Sequence, residues 1–298
     1  MSANTQAADT LRAAERLVDD TPKNRRFSWQ MAIAYLLLSI GTVVMVVPFI
    51  WMLLTSLKTG PELVQFSFLP KNPTLATYQA LLTSSNFQRW YLNSLIVATI
   101  STASVALFDS LAGYTLNKFE FPGKRIIFMG ILATLMIPTE MLIIPWYQMS
   151  VNFGWHQGNW QFWGIAFPGV ITATGIFLMR QFFDGVPNEL LDAGRIDGMN
   201  EFGIWWRIAM PLVKPAVAAL CIFNFIGNWN AYLWPLIVAS SSKFYTLPVG
   251  LSFFRGESTV EWEKIMTAAS LATIPLLIVF LIFQRQIIKG VALTGLKG

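Results

Sequence analysis

The sequence predicts an all-α, polytopic membrane protein with six transmembrane helices. Of its 298 residues, 54% are hydrophobic and only 12% are charged, whereas soluble domains carry about 25% charged residues. Windows with almost no charge recur along the chain, and a membrane-spanning helix needs about 20 apolar residues. Since so few charges could not cover the surface of a soluble domain of this length, most of the chain is expected to lie in lipid.

The spans follow from the charge-poor windows. Five windows contain at most one charged residue: Phe27–Leu57, Trp90–Asn117, Ile126–Met179, Pro215–Ser242 and Ile265–Gln284. The third is long enough for two spans, separated by the turn-forming segment 152–159. The predicted spans are 29–57, 91–116, 126–147, 161–180, 215–239 and 265–284.

The distribution of basic residues predicts the orientation of these spans. With the N-terminus inside, fifteen Lys and Arg fall in inside segments and six in outside segments, as the positive-inside rule requires. The first window is too long for the core of a signal peptide and is expected to stay as an anchor. We therefore expect a cytoplasmic tail (1–28), a membrane domain (29–290) with an inside loop (181–214), and a cytoplasmic tail (291–298).

The composition also excludes several kinds of site. Cys221 is the single cysteine and His156 the single histidine, so neither an intrachain disulfide nor a metal site of these ligands is expected. The net charge of +5 is explained by the inside segments, and nothing supports a nucleic-acid partner. Without a phosphate-binding Gly-x-x-x-x-Gly-Lys-Ser/Thr motif, the chain should bind no ATP itself.

The inside loop carries a pattern of its own. Pro187 suits the first turn of a helix and Glu189 places a negative charge there. Gly198 can end that helix in a left-handed cap, and a second helix should start near Asn200 and stop before Pro211. An amphipathic pair of this kind is either a docking element or a loop lying on the bilayer.

The stretch from Glu189 to Pro211 resembles the cytoplasmic signature loop of ABC importer permeases. That signature reads Glu-Ala-Ala, three residues, Gly, then an apolar residue and Leu-Pro. Its counterparts here are Asp192-Ala193-Gly194, Gly198, Ile208 and Met210-Pro211. The spacing matches throughout, whereas Asp for Glu, Gly for the second Ala and Met for Leu depart from the pattern.

The resemblance covers nearly the whole chain and is closest to the carbohydrate-type branch, which includes the maltose and glycerol-3-phosphate importer permeases. The fragments that carry it are Asn93-Ser94, Phe121–Lys124, Trp229-Asn230, Trp234-Pro235, Thr246–Pro248 and the tail Lys289–Gly298.

The resemblance implies an import function for the chain in a bacterial or archaeal cytoplasmic membrane, with both termini cytoplasmic. The signature loop would form a coupling helix in a cleft of a separate dimeric ATPase, which binds the ATP and Mg, so this chain is not an enzyme. The other implied partners are a second, different permease and an extracytoplasmic solute-binding protein. The implied ATPase-coupling residues are Glu189, Asp192, Ala193, Gly194, Arg195, Asp197, Gly198 and Pro211.

Four residues in the spans have two interpretations each. Asp109 lies in a cavity or between subunits, or else reaches the inner interface or bonds to a neighbouring helix. Glu140 faces the translocation path or the outer interface. Trp229 and Asn230 offer a ring and an amide to a sugar, or else pack between helices.

Two other functional classes are weaker. A stand-alone secondary transporter of a small polar solute should show repeat symmetry and paired intramembrane charges, and neither is evident. An integral-membrane enzyme needs clustered His, Asp, Glu or Cys at one membrane face.

The resemblance generates a prediction about the loop. Gly198→Trp, or charge reversal at Asp192 and Arg195, should uncouple transport from the ATPase while the protein stays in the membrane. Solute uptake by vesicles, together with the amount of the protein in the membrane, checks this. Transport equal to that of the parent protein would count against a coupling role.

Overall fold

The computed structural model describes residues 29–64, 67–84, 86–254 and 260–295. The predicted tail 1–28 and the last three residues of the predicted tail 291–298 lie outside them. All regular elements of the described residues are helices. They are α1 (Trp29–Ser56), α2 (Gly60–Val64), α3 (Ala76–Ser84), α4 (Phe87–Lys118), α5 (Lys124–Thr134), α6 (Ile143–Asn152), α7 (Gln161–Ala166), α8 (Ala173–Asp184), α9 (Asn188–Ile196), α10 (Glu201–Ile204), α11 (Met210–Leu212), α12 (Lys214–Trp229), α13 (Leu233–Val238), α14 (Leu247–Ser252) and α15 (Trp262–Gly295).

The chain divides into two compact units. The first ends at Trp51 and its described part is most of α1, and the second runs from Met52 onward. In the second unit, α4 packs against α8 and α12, and α12 packs against α15. Because α15 continues to Gly295, the predicted C-terminal tail from residue 291 begins within a helix.

Three of the six predicted spans are continuous helices. Helix α1 has 28 residues, α4 has 32, and α15 has 23 up to Gln284, and all three are long and apolar enough to cross a bilayer. Many of their apolar side chains point away from the chain: Leu281 and Ile282 on α15 are each 61% exposed. Exposed apolar surface on this scale requires lipid or another membrane protein around it.

Two of the other three predicted spans are bent pairs of helices, with bends of 98° between Lys124–Thr134 and Thr139–Asn152 and of 53° between Gly158–Gly169 and Ala173–Asp184. The third, 215–239, contains α12 and α13. A further bend of 86°, between Glu201–Leu212 and Lys214–Trp229, lies where the predicted inside loop meets α12. Helix α5 has 11 residues and is therefore only about 16 Å long at 1.5 Å per residue. Within the predicted span 126–147 the chain turns at Pro138, where a proline removes a backbone donor, so the span is divided between α5 and α6.

Helix α4 is the most buried of the continuous helices, and polar side chains in its first turns hold the segment before α14. Trp90 donates its indole N–H to the carbonyl of Ser242 at 2.9 Å. Asn93 donates to the carbonyls of Lys243 and Tyr245, each at 2.9 Å. These bonds fix the segment before α14 against the first turns of α4, and they explain the roles of the Asn93-Ser94 fragment.

Two further contacts complete this outer attachment. The backbone N–H of Leu247 donates to the hydroxyl of Ser94 at 2.7 Å. Gly250, on α14, lies against the Trp90 ring, where a Cβ would be 2.1 Å from the nearest ring carbon. The close approach of α14 to α4 therefore requires glycine at this position.

The middle of α4 supports the break that precedes α8. Ser101 donates its hydroxyl to the carbonyl of Ala166 at 3.4 Å, and Thr102 donates to the side-chain oxygen of Asn224 at 3.4 Å. The amide of Asn224 in turn donates to the carbonyl of Gly169 at 3.4 Å. A broken helix persists in lipid only where neighbours satisfy its freed backbone groups, and these side chains do so for the residues that precede the break.

Asp109 satisfies the other side of the same break. Thr172 donates its backbone N–H to both carboxylate oxygens of Asp109, at 3.0 and 3.2 Å, and its hydroxyl to one of them at 2.7 Å. A Cβ on Gly175 would lie 2.0 Å from that carboxylate, so glycine is needed for the carboxylate to reach the start of α8. Asp109 is fully buried, and the interpretation in which it bonds to a neighbouring helix is confirmed.

Substitution of Asp109 should lower the stability of the fold in a graded way. Asp109→Leu leaves the N–H and hydroxyl of Thr172 buried without an acceptor, which costs about 1–3 kcal/mol for each such group. Asp109→Asn keeps one oxygen that can accept from Thr172, so its loss should be smaller. The measurement is the thermal unfolding midpoint of the purified protein in detergent.

The matched control is Thr99→Leu, a change of similar kind at an exposed position of the same helix. Its midpoint should equal that of the parent protein. An unchanged midpoint for Asp109→Leu would show that the break does not depend on this carboxylate.

Candidate functional site

The inside loop forms a short helix with well-defined ends. Helix α9 starts after Pro187 and carries Glu189 in its first turn and Arg195 in its last turn, which places each charge where the helix dipole favours it. Gly198 has a φ of +78°, and the N–H of Met199 donates to the carbonyl of Gly194 at 3.0 Å. The predicted left-handed cap at Gly198 is confirmed.

The second helix of the loop starts where it was predicted but ends later. The side chain of Asn200 accepts a hydrogen bond from the N–H of Gly203 at 2.7 Å and so caps α10. A π-helical turn, Trp205–Ala209, then leads into α11, and Pro211 lies inside α11. The predicted stop before Pro211 was wrong. Pro211 lies in the first turn of α11, where a proline is tolerated because the N–H that it lacks would have no partner within the helix.

Helix α9 has one face against the rest of the chain and one face outward. Leu191 is fully buried, and Gly194 is buried where a Cβ would lie 2.7 Å from Cδ1 of Ile208. Gly194 therefore lets α9 and the following π-helical turn approach each other, within this chain. Ile196 is 87% exposed and stands in the outward face.

Most of the residues predicted to couple to an ATPase lie on or next to the outward face. Glu189, Asp192, Ala193, Asp197 and Gly198 are exposed, as is Pro211 near the bend into α12. This face thus carries exposed carboxylates and exposed apolar side chains, Ile196 and Leu190. Gly194 is the member of the predicted set that faces inward, where it packs against Ile208.

Arg195 belongs to the predicted set but is engaged within the loop. Its Nη1 donates to Asp192 at 2.6 Å, its Nε to Glu201 at 2.7 Å, and its Nη2 to the other oxygen of Glu201 at 3.2 Å. The hydrogen bonds that Arg195 donates to Glu201 and Asp192 raise the pKa of Arg195 above its ordinary value. The same guanidinium lowers the pKa of Glu201, so the pair is ionised at neutral pH.

The inner end of α4 holds the loop at both of its ends. The hydroxyl of Tyr114 donates to Glu201 at 3.4 Å. One helical turn later, Lys118 donates to the carbonyl of Val186 at 2.6 Å and to the side chain of Asn188 at 3.0 Å. The sequence interpretation missed Tyr114, Lys118 and Glu201, although opposite charges at 195 and 201, on either side of a glycine turn, were a signal for the Arg195–Glu201 pair.

A cleft of about 370 Å³ adjoins the start of α10. It is lined by Met199, Asn200, Phe202, Gly203, Trp206 and Arg207. Phe202 is 58% exposed and Trp206 is 56% exposed. Exposed aromatic rings beside a basic side chain are typical of protein-binding surfaces.

Of the residues predicted to line the translocation path, two are exposed and one, Trp229, is buried. Glu140 is exposed in the turn between α5 and α6, and Asn230 is exposed at the end of α12. Trp229 is 2% exposed, donates its indole N–H to the carbonyl of Ala272 at 3.1 Å, and stacks on Phe225. Its ring is enclosed by the chain, so the interpretation of Trp229 as a stacking surface for a sugar is replaced by a packing role.

The fold resembles that of solved transporters. One is a crystal structure of a bacterial ABC transporter involved in the import of the acidic polysaccharide alginate, with a TM-score of 0.76, 24% identity, and coverage of 89% of this chain and 99% of that chain. Another is the alginate ABC transporter in complex with an alginate pentasaccharide-bound periplasmic protein, with a TM-score of 0.61, 12% identity, and coverage of 85% and 92%. At these identities the likeness concerns the fold.

Sequence relatives extend over most of the chain. The arabinooligosaccharides transport system permease protein AraQ of Bacillus subtilis (strain 168) is 34% identical over 256 residues, covering 84% of this chain and 90% of that protein. The sn-glycerol-3-phosphate transport system permease protein UgpE of Brucella abortus (strain 2308) is 30% identical over 273 residues, covering 88% and 96%. Residues 109–293 match the family described as binding-protein-dependent transport system inner membrane component. The chain therefore belongs to the family of inner membrane components of binding-protein-dependent transport systems.

Proposed function

We propose that the chain is a transmembrane subunit of an ATP-driven importer that moves a carbohydrate across the cytoplasmic membrane. The observation that carries the proposal is the outward face of α9, exposed and fixed to α4, in a member of this transport family. A separate ATPase dimer would dock on that face and would hold the ATP and Mg. Hydrolysis is thus assigned to the partner, and this chain is the permease.

The class of solute is supported by the relatives. AraQ is named for arabinooligosaccharides and UgpE for sn-glycerol-3-phosphate, and the structural neighbour belongs to an importer of alginate. Polyhydroxylated solutes are common to all three. Carbohydrate is accordingly proposed as the class of solute, without a particular sugar.

The proposed topology has six crossings with both termini and the loop 181–214 on the cytoplasmic side. The pairs α5 with α6, α7 with α8, and α12 with α13 would each cross once, in addition to the three continuous helices. The excess of Lys and Arg in the inside segments supports this orientation. The membrane domain is proposed to extend over 29–290, with the two tails on the same side as the loop.

The partners follow from the way in which such a system works. A second permease, proposed to be a different chain, would complete the path, and an extracytoplasmic solute-binding protein would deliver the solute. The complex of the alginate transporter with its periplasmic protein supports the latter. Glu140 and Asn230, both exposed, are the proposed contacts of this chain with the path.

The docking face predicts a specific purification result. The tagged protein, isolated in mild detergent from its native membrane, should bring with it an ATPase subunit and a second permease, identified by mass spectrometry. Ile196→Asp replaces an exposed apolar side chain of the outward face with a charge, and it should abolish recovery of the ATPase.

The control is Leu69→Asp, the same kind of change at a side chain that is 65% exposed in a segment predicted to lie outside. It should leave recovery of the ATPase intact. Recovery of the parent chain alone, still transporting in vesicles without ATP, would support the stand-alone secondary transporter instead.

A further inference from the structure

The turn at Gly198 is bridged by a pair of parallel hydrogen bonds. Nε and Nη2 of Arg195, in the last turn of α9, donate to the two carboxylate oxygens of Glu201 at 2.7 and 3.2 Å. A bidentate guanidinium–carboxylate pair fixes orientation as well as distance. The angle between α9 and α10 is therefore set by a side-chain pair in addition to the backbone of the turn.

The same carboxylate is held from the membrane domain. Tyr114 donates its hydroxyl to Glu201 at 3.4 Å, and its ring is 1% exposed. That ring is packed edge-on against Phe119 and Phe183. Glu201 thus joins the side chain of Arg195 to a buried, closely packed ring of α4.

The opposite end of α9 is attached to the same face of α4. Tyr114 and Lys118 are four residues apart, and side chains at this spacing project from one side of a helix. Lys118 holds Val186 and Asn188 at the start of α9. Helix α9 is consequently attached to α4 at its start by Lys118 and past its end by Tyr114.

We propose that Arg195, Glu201 and Tyr114 form a brace that transmits the movement of α9 to α4 during transport. The proposal rests on the proposed function, in which a partner ATPase moves α9. Without the brace, α9 is held at its start by Lys118 and through its buried Leu191, and a push on its last turn would be absorbed in the turn at Gly198. With the brace, the push is delivered to the inner end of α4, and the three residues act as positioning residues.

This brace gives Arg195 a role that the signature-loop resemblance did not imply. Three of its N–H groups are engaged by Asp192 and Glu201, and 38% of its side chain is exposed. Its main partners lie within the chain, while Asp192, with 60% of its side chain exposed, remains open to a partner protein.

The test compares Glu201→Gln and Tyr114→Phe with the parent protein in the complete transporter, reconstituted in vesicles with its ATPase, second permease and binding protein. Both variants should retain the ATPase on purification and should still hydrolyse ATP. The amount of solute moved per ATP hydrolysed should fall by about 5-fold or more, the lower end of couplings between linked sites. Glu201→Asp, which keeps the carboxylate, should restore part of that ratio.

The matched control is Glu120→Gln at the Lys124–Glu120 pair, which is 2.8 Å long and has a 90% exposed carboxylate. It makes the same chemical change beyond the inner end of α4, outside the brace, and should leave the ratio unchanged. If Glu201→Gln folds poorly, Tyr114→Phe decides, because it removes a single oxygen from the protein.

Two results would overturn the brace. Parent-like ratios in Tyr114→Phe and Glu201→Gln would show that no movement passes through it. Loss of the ATPase from either variant would show that the residue serves docking. Failure of the parent complex itself to contain an ATPase is a different result, since it refutes the proposed function.

Discussion

A backbone polar group without a partner is not tolerated in lipid, where each such group costs several kcal/mol. The constraint is severe here, since two of the predicted spans are bent pairs of helices, with bends of 98° and 53°. Around the 53° bend, the partners come from α4 directly or through Asn224. Asp109 accepts from Thr172, and Ser101 donates to a carbonyl just before the break. The bent geometry therefore depends on the polar residues of one continuous helix.

The same helix organises the structure at three levels. Near its start, Asn93 and Ser94 hold the segment that leads to α14. Near its middle, Asp109 holds α8, and at its end Tyr114 and Lys118 hold the signature loop. A displacement of the C-terminal end of α4 would therefore be passed on to the segments that contact this helix along its length. In the proposed importer, this is how an event on the ATPase reaches the far side of the membrane.

The sequence predicted the long helices and the cap at Gly198, because charge-free length and a glycine turn are local properties. It did not predict which spans are bent, since proline occurs both in the continuous helix α15, at Pro275, and in the break at Pro138. Nor could it assign faces: Gly194 and Trp229 have the residue types expected of contact sites, yet both are buried in the chain. Those outcomes depend on which helices become neighbours.

The central claim is that the loop and the inner half of α4 move as one body. Its most direct measurement is the distance between spin labels at Leu190, on the exposed side of α9, and Phe108, which is exposed on α4, with Cys221 replaced by alanine. The complete transporter would be measured without nucleotide and with bound ATP. If the two move as one body, the distance distribution is the same in both states. A distribution that shifts on ATP binding would show that α9 moves relative to α4 and would contradict this claim.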